Sequence, residues 1–368
     1  MFSPAAVIGM PRESLDTPAL LVDLPAMEKN IATMASTFQR AGVNWRPHTK
    51  GQKIPAVAHK LIRAGAIGVT CAKVGEAEVM VAGGITDILI ANQVIGEPKV
   101  RRLVNLLPHA DVALCVDSEI GICQIEDAAA KKGDVYPRIL VEVDTGMQRC
   151  GVPPGEPAVT LARRIHQSAQ LRFAGLMAWE GHTVAIPDID AKRGEVQRAI
   201  GLLTGTADLC RQAGLPVDIV SCGGTGDYTI SAFEPGITEV EAGGGVWCDA
   251  HYRRHMGVQH DFAMTVLTTV ISRPTPTRVV VDAGFKTMSA LPATPEPIGL
   301  DGIRSLSLSA EHGRLELAEA NDTLRVGDKL EFVVGYTDST VVLHDVLYGV
   351  RGGRVEVAWP ILGRGKLW

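Results

Sequence analysis

The chain has 368 residues, 46% of them apolar and 21% charged, with a net charge of −5. That composition suits a folded globular protein, and the length exceeds what one compact core usually reaches, so a large domain with a smaller companion is expected. Basic residues gather only into doublets such as Arg101-Arg102 and Lys131-Lys132, which excludes the basic patch of a nucleic-acid binder, and no stretch reaches the roughly 18 uncharged apolar residues of a membrane span. Residues 1–6 lack the basic start and apolar core of a signal peptide. The cysteines number seven, an odd set without a CxxC pair, and read as buried free thiols in a reducing compartment. A cytoplasmic protein is expected.

In chain order, residues 16–23 (Asp16-Thr17-Pro18 to Asp23) read as a first strand, followed by a short strand ending in Trp45. Apolar, β-branched runs at 67–71, 87–91, 111–116, 138–143, 173–177 and 218–222 then alternate with helical periodicity at 76–82, 99–107, 119–131, 157–168 and 190–213. Regular alternation implies a parallel sheet with crossover helices, and seven or eight such units favour a closed (β/α)8 barrel, an α/β fold, over residues 25–260. After about residue 262 the texture changes to short runs at 264–272, 278–282, 329–334, 341–343 and 355–359, punctuated by Gly, Pro and Asp. This predicts a C-terminal β domain over 261–368 that the strand within residues 1–24 joins.

Lys50 closes the stretch Trp45-Arg46-Pro47-His48-Thr49-Lys50, between a strand and the helix opened by Ile54-Pro55. Barrels place catalytic groups at such strand ends. A lysine amine can form a Schiff base with an aldehyde where desolvation or nearby positive charge favours its neutral form, and Arg46 and His48 are candidates to supply that charge. Two glycine loops, Gly223-Gly224-Thr225-Gly226 and Gly243-Gly244-Gly245, follow late strands, and exposed glycine amides there can cradle a phosphate. Neither loop fits the dinucleotide fingerprint. Arg149 stands in a third loop, Glu142-Val143-Asp144 to Arg149-Cys150-Gly151-Val152.

Together with Lys73-Val74-Gly75-Glu76-Ala77, Asp282-Ala283-Gly284, Glu311-His312-Gly313 and Leu343-His344-Asp345, these motifs cover almost the whole chain. The sequence resembles the fold-type III pyridoxal 5'-phosphate (PLP) enzymes of the D-threonine aldolase, 3-hydroxy-D-aspartate aldolase and D-serine dehydratase family. The resemblance implies an alanine racemase-like barrel with a β domain, usually a homodimer, and PLP on Lys50. It places Gly223, Gly224 and Thr225 on the phosphate with Gly243 and Gly244 opposite, Arg149 near the ring, and His48 as an acid–base group or an orienter of Lys50. His312 and His344 are assigned to the β domain.

The pattern also departs from that family. Its His-x-Asp or His-x-Cys pair holds a divalent metal such as Mn or Mg, whereas here Tyr336-Thr337-Asp338 puts tyrosine at the histidine position. Phenol is a poor ligand beside imidazole, which leaves Asp338, with His344 or Asp345, as the remaining metal candidate. Trp179 and Glu180 stand at a position that commonly reads Tyr-His or Tyr-Gln. Trp179 is a candidate to stack near the ring, and Glu180 and His182 are candidate acid–base groups. The expected activity is PLP-dependent cleavage of a β-hydroxy-D-amino acid, D-threonine-like, to glycine and an aldehyde. The alternatives are a dehydratase of the D-serine or 3-hydroxyaspartate type, a metal-independent racemase or epimerase, and a non-catalytic PLP-binding protein.

Overall fold

The computed structural model describes residues 4–368, which divide into two compact units. The first unit runs to Ile31 and resumes at Gly51–Lys53 and Gly244–Arg364; the second comprises Ala32–Lys50, Ile54–Gly243 and Gly365–Trp368.

The first unit contains β1 (Ala19–Asp23). The second is built on β2 (Asn44–Trp45), β3 (Val69–Cys71), β4 (Asp87–Gln93), β5 (Asp111–Val116), β6 (Arg138–Glu142), β7 (Arg172–Met177), β8 (Ile219–Cys222) and β9 (Glu239–Val240). Its sheet has the order β2-β9-β8-β7-β6-β5-β4-β3 and every ladder is parallel. A single parallel bridge between His48 and Thr70 joins the two end strands. The helices between strands include α1 (Leu24–Ala41), α2 (Pro55–Arg63), α3 (Val74–Ala82), α4 (Glu97–Leu106), α5 (Glu119–Lys132), α6 (Glu156–His166) and α7 (Ile189–Gln212). This is a (β/α)8 arrangement.

Local chemistry explains the elements. Strands β4 to β6 are nearly continuous apolar runs because a parallel sheet is covered on both faces. Their inward residues Leu89, Ala113, Cys115 and Leu140 meet Ala174 and Met177 in one core cluster. Burying each large side chain there contributes about 1.5–3 kcal/mol. Ser118 accepts the Gly121 N–H at the start of α5, and Asp188 accepts the Ala191 N–H at the start of α7. These caps satisfy N–H groups that a helix start otherwise leaves open.

The N-terminal ends of the barrel strands carry a charge network. Arg46 donates to Glu239 at 3.1 Å and to Asp87 at 2.8 Å; Arg138 joins Asp87 at 2.7 Å and Asp111 at 2.7 Å. Glu239, Asp87, Asp111 and Arg138 each open their strand. Arg46 is buried there with its charge matched. It therefore does not supply positive charge to Lys50, contrary to the sequence expectation.

In the first unit β10 (Met264–Thr275), β11 (Arg278–Val281), β12 (Glu296–Pro297), β13 (Ile303–Leu308), β14 (Gly313–Leu317), β15 (Lys329–Val333), β16 (Val346–Arg351) and β17 (Arg354–Pro360) form a second sheet with β1. Strand β1 lies between β10, antiparallel, and β16, parallel. Leu15, Leu21, Leu267, Val350 and Val355 pack together at its centre. The run 341–343, read as a strand from its valines, is a 3-10 turn continuing the short helix Thr337–Thr340. Two β-branched residues are too few to override that helical start.

Candidate active site

Lys50 and Arg149 share one side chain in the barrel unit. Lys50 Nζ lies 5.4 Å from the centre of the Trp179 ring, and Arg149 Cζ lies 4.9 Å from it. Both are cation–π distances, favourable because the indole face is negative. Lys50 comes from the segment after β2, Arg149 from the loop after β6, and Trp179 from the loop after β7, so three C-terminal strand ends converge. The Lys50 backbone N–H donates to His48 Nδ1 at 3.3 Å, which makes Nδ1 the unprotonated ring nitrogen of a neutral imidazole. His48 thereby fixes the backbone that carries Lys50.

The Arg149 loop is shaped by Asp144, whose Oδ1 accepts the N–H groups of Gly146 and Gln148 at 2.9 and 3.0 Å. Arg149 also approaches Glu142 at 3.8 Å. Glu142 is buried, accepts from Gln93, and is held above the usual carboxyl range by that burial. His182 stands against the same loop: a Cβ on Gly146 would come 2.8 Å from its Nε2. That nitrogen also pairs with Glu195 of α7 at 3.2 Å.

Beneath the first glycine loop lie two buried acids. Glu180 Oε2 accepts the Gly223 N–H at 3.3 Å, and Asp227 Oδ1 accepts the Gly224 N–H at 2.7 Å. Their other oxygens, Glu180 Oε1 and Asp227 Oδ2, are buried without a protein hydrogen-bond donor. The two carboxyls act on each other: burial first, then the neighbouring Asp227 charge, holds the Glu180 carboxyl well above its usual range. Burial also pushes Asp227 up to about 6. The Trp179 Nε1 edge abuts Gly224, 3.0 Å from where a Cβ would stand.

On the neighbouring strand Glu241 accepts from Ser221 Oγ at 3.0 Å and is pushed up to about 8 by burial and by Glu239. Gly243 packs so tightly on the segment after β2 that a Cβ would come 2.1 Å from the His48 carbonyl, so only glycine fits. Gly244, the next residue, belongs to the other unit. Sequence reading gave Asp227 and Glu241 no role. The alternation of Glu239 and Glu241 on one strand face was the signal available for the second; nothing local marks the pairing of Asp227 with Glu180.

The fit of the two implied groups differs. An amine, a guanidinium and the Gly223-Gly224 loop around an indole suit an aldehyde phosphate such as PLP. In the other unit, Tyr336 Oη donates to Asp338 Oδ2 at 3.0 Å, and a Cβ on Gly51 would come 2.4 Å from Asp338 Oδ1. His344 Nε2 bonds the Thr287 carbonyl at 2.8 Å, while Asp345 pairs with Arg364 at 2.5 Å. Neither helps Asp338, and among the described residues no three His, Cys, Asp or Glu side chains are grouped to hold a metal. As placed, these donors do not offer a divalent ion the set read for Asp338 with His344 or Asp345.

Converging strand-end cations, an indole and a glycine loop define a (β/α)8-barrel enzyme. The chain belongs to the alanine racemase N-terminal domain family, whose profile matches residues 22–250, and a putative serine dehydratase domain matches residues 263–350. It is 35% identical over 372 residues to a 3-hydroxy-D-aspartate aldolase of Paracoccus denitrificans (strain Pd 1222), covering 98% of this chain and 95% of that protein. A D-threonine aldolase of Arthrobacter sp. is 34% identical over 365 residues, covering 98% and 96%. The crystal structure of D-threonine aldolase from Filomicrobium marinum superposes with a TM-score of 0.94 at 37% identity, covering 98% of this chain and 99% of that one.

Proposed function

We propose that this protein is a PLP-dependent aldolase that cleaves β-hydroxy-D-amino acids to glycine and an aldehyde. The observation that carries the reading is the placement of Lys50 and Arg149 on one indole beside the Gly223-Gly224 loop. Relatives named as 3-hydroxy-D-aspartate and D-threonine aldolases, aligned over nearly their whole length, support the same substrate class.

Within that reading Lys50 would hold the cofactor's aldehyde through Nζ. The backbone of Gly223, Gly224, Thr225 and Gly243 would hold the phosphate, with Gly244 as the remaining member of the second glycine loop. When bound, PLP supplies an electron sink for negative charge developing at the amino-acid α-carbon. The rest falls to side chains. Trp179 forms an apolar wall that excludes water beside Lys50 and spaces it from Arg149. Arg149 brings a fixed positive charge that tunes the ring and attracts a carboxylate. His48 is a positioning residue for Lys50, because its Nδ1 is committed to the Lys50 amide. His182, held by Glu195, positions the loop of Arg149 instead of acting as the acid–base group expected from sequence.

All seven cysteines are free, five of them buried, which supports a chain that works in the reducing cytoplasm, and the resemblance supports a homodimer. No helix among the described residues is long and apolar enough to cross a membrane. The test is direct. The purified chain given PLP should gain visible absorbance and release glycine with acetaldehyde from D-threonine; 2-oxobutyrate with ammonia and no glycine would replace cleavage by dehydration, and L-allo-threonine alone would replace it by epimerisation at the α-carbon.

A further inference from the structure

A phosphate loop with two carboxyls under it is an electrostatic contradiction, and its resolution assigns a role to residues that cleavage itself does not use. The N–H groups of Gly223 and Gly224 point at Glu180 and Asp227. A phosphate arriving at this loop meets both N–H groups already engaged and two acids below them. Glu180 is 1% exposed and Asp227 is 1% exposed, so water does not screen the acids.

We propose that Glu180 and Asp227 form a proton-sharing latch on the phosphate loop. With one proton held between them, the pair carries a single charge and its oxygens are weaker acceptors, so the Gly223 and Gly224 N–H groups can pass to the phosphate of PLP. With that proton lost, two carboxylates retain both N–H groups and repel the phosphate. The inference rests on the cofactor reading above and deepens it. The orphaned oxygens Glu180 Oε1 and Asp227 Oδ2 are its structural mark: buried acceptors without a donor are satisfied when a proton lies between them.

The groups facing the pair are few. Lys192 of α7 attracts Asp227, and the Cys222 thiol of β8 is raised by both acids. Lys192 favours a charged Asp227, which leaves the proton on Glu180 and makes Glu180 the residue to change.

The experiment titrates the full-length apoprotein with PLP and, separately, with pyridoxal, which keeps the aldehyde and lacks the phosphate. Taking the ratio of the two affinities cancels the protonation of Lys50. Between pH 7 and 9, above the second ionisation of the phosphate, the preference for PLP over pyridoxal should fall, by up to about tenfold per pH unit once the pair's proton is released. Glu180→Gln, which offers an amide donor to Asp227 at every pH, should make the ratio flat. Asp227→Asn serves the same purpose if Glu180→Gln fails to fold. A flat ratio in the unmodified chain, or the same slope in the variants, overturns the latch while leaving the cofactor assignment standing. Failure of both aldehydes to bind Lys50, read by absorbance, overturns the cofactor reading and the latch together.

Discussion

The two ends of the barrel strands use the same residue types in opposite ways. At the N-terminal ends, Arg46, Glu239, Asp87, Arg138 and Asp111 meet at bonding distance and every charge has a partner. At the C-terminal ends, two cations lean on an indole, two acids keep orphaned oxygens, and Glu241 stays protonated near neutral pH. Ion pairs closed on one another stabilise a scaffold; buried carboxyls with shifted pKa values beside cations at strand ends mark where a ligand is handled.

That contrast can be broken by mutation. Lys50→Ala should abolish the PLP absorbance and lower kcat by about 10³-fold or more, with the melting temperature almost unchanged. Arg46→Met should do the reverse, leaving Glu239 buried and Asp87 half-buried beside a lost cation. A cost of about 3–5 kcal/mol is expected, seen as a melting temperature lower by on the order of 10 °C. If Arg46→Met instead kept its stability and lost PLP, the division between the ends would fail.

Glu241→Gln sharpens the comparison by pH. The folded protein holds the Glu241 proton up to about pH 8, above the ordinary value of 4.5, so the folded state binds more protons than the unfolded one across that window. Its contribution is fully present below about pH 4.5 and is lost as pH rises toward 8. The melting temperature of Glu241→Gln relative to the unmodified chain should therefore rise by several degrees between pH 5 and pH 8. A difference independent of pH would show that Glu241 is ionised in the fold. In the other unit, Tyr336 caps Asp338, so EDTA should change turnover by less than about twofold, and Tyr336→Phe should not create a metal site. Tight stoichiometric Mn²⁺ in the purified protein would contradict this. The smallest effect belongs to the exposed pair Lys286–Glu311, where Lys286→Met should cost about 0–1 kcal/mol.

How much of this was legible follows from range. The apolar runs of β4, β5 and β6 announce buried parallel strands, because each is long enough to show its own burial. Strands β2 and β9 have two residues each and exist only because neighbours hold them. Lys50, Arg149 and the glycine loops were visible because strand ends carry a local signature. Arg46 misled, since its proximity in sequence to Lys50 says nothing about a guanidinium that reaches back along the strand. The meeting of Glu180 with Asp227 joins two loops 47 positions apart in number, and no local pattern encodes it.

Strand β1 has a consequence for how the molecule is made. It is interior to its sheet, with Ala19 against Leu267 on one side and Leu20 against Leu347 on the other. During synthesis at roughly 5–20 residues per second, this early strand leaves the ribosome long before either neighbour exists. Its apolar sequence Ala19-Leu20-Leu21-Val22 must stay out of wrong pairings through the making of the whole barrel unit. Completion of the β-rich unit is thus tied to the last part of the chain to be translated, and truncation before β16 should leave β1 as a sticky, half-paired edge.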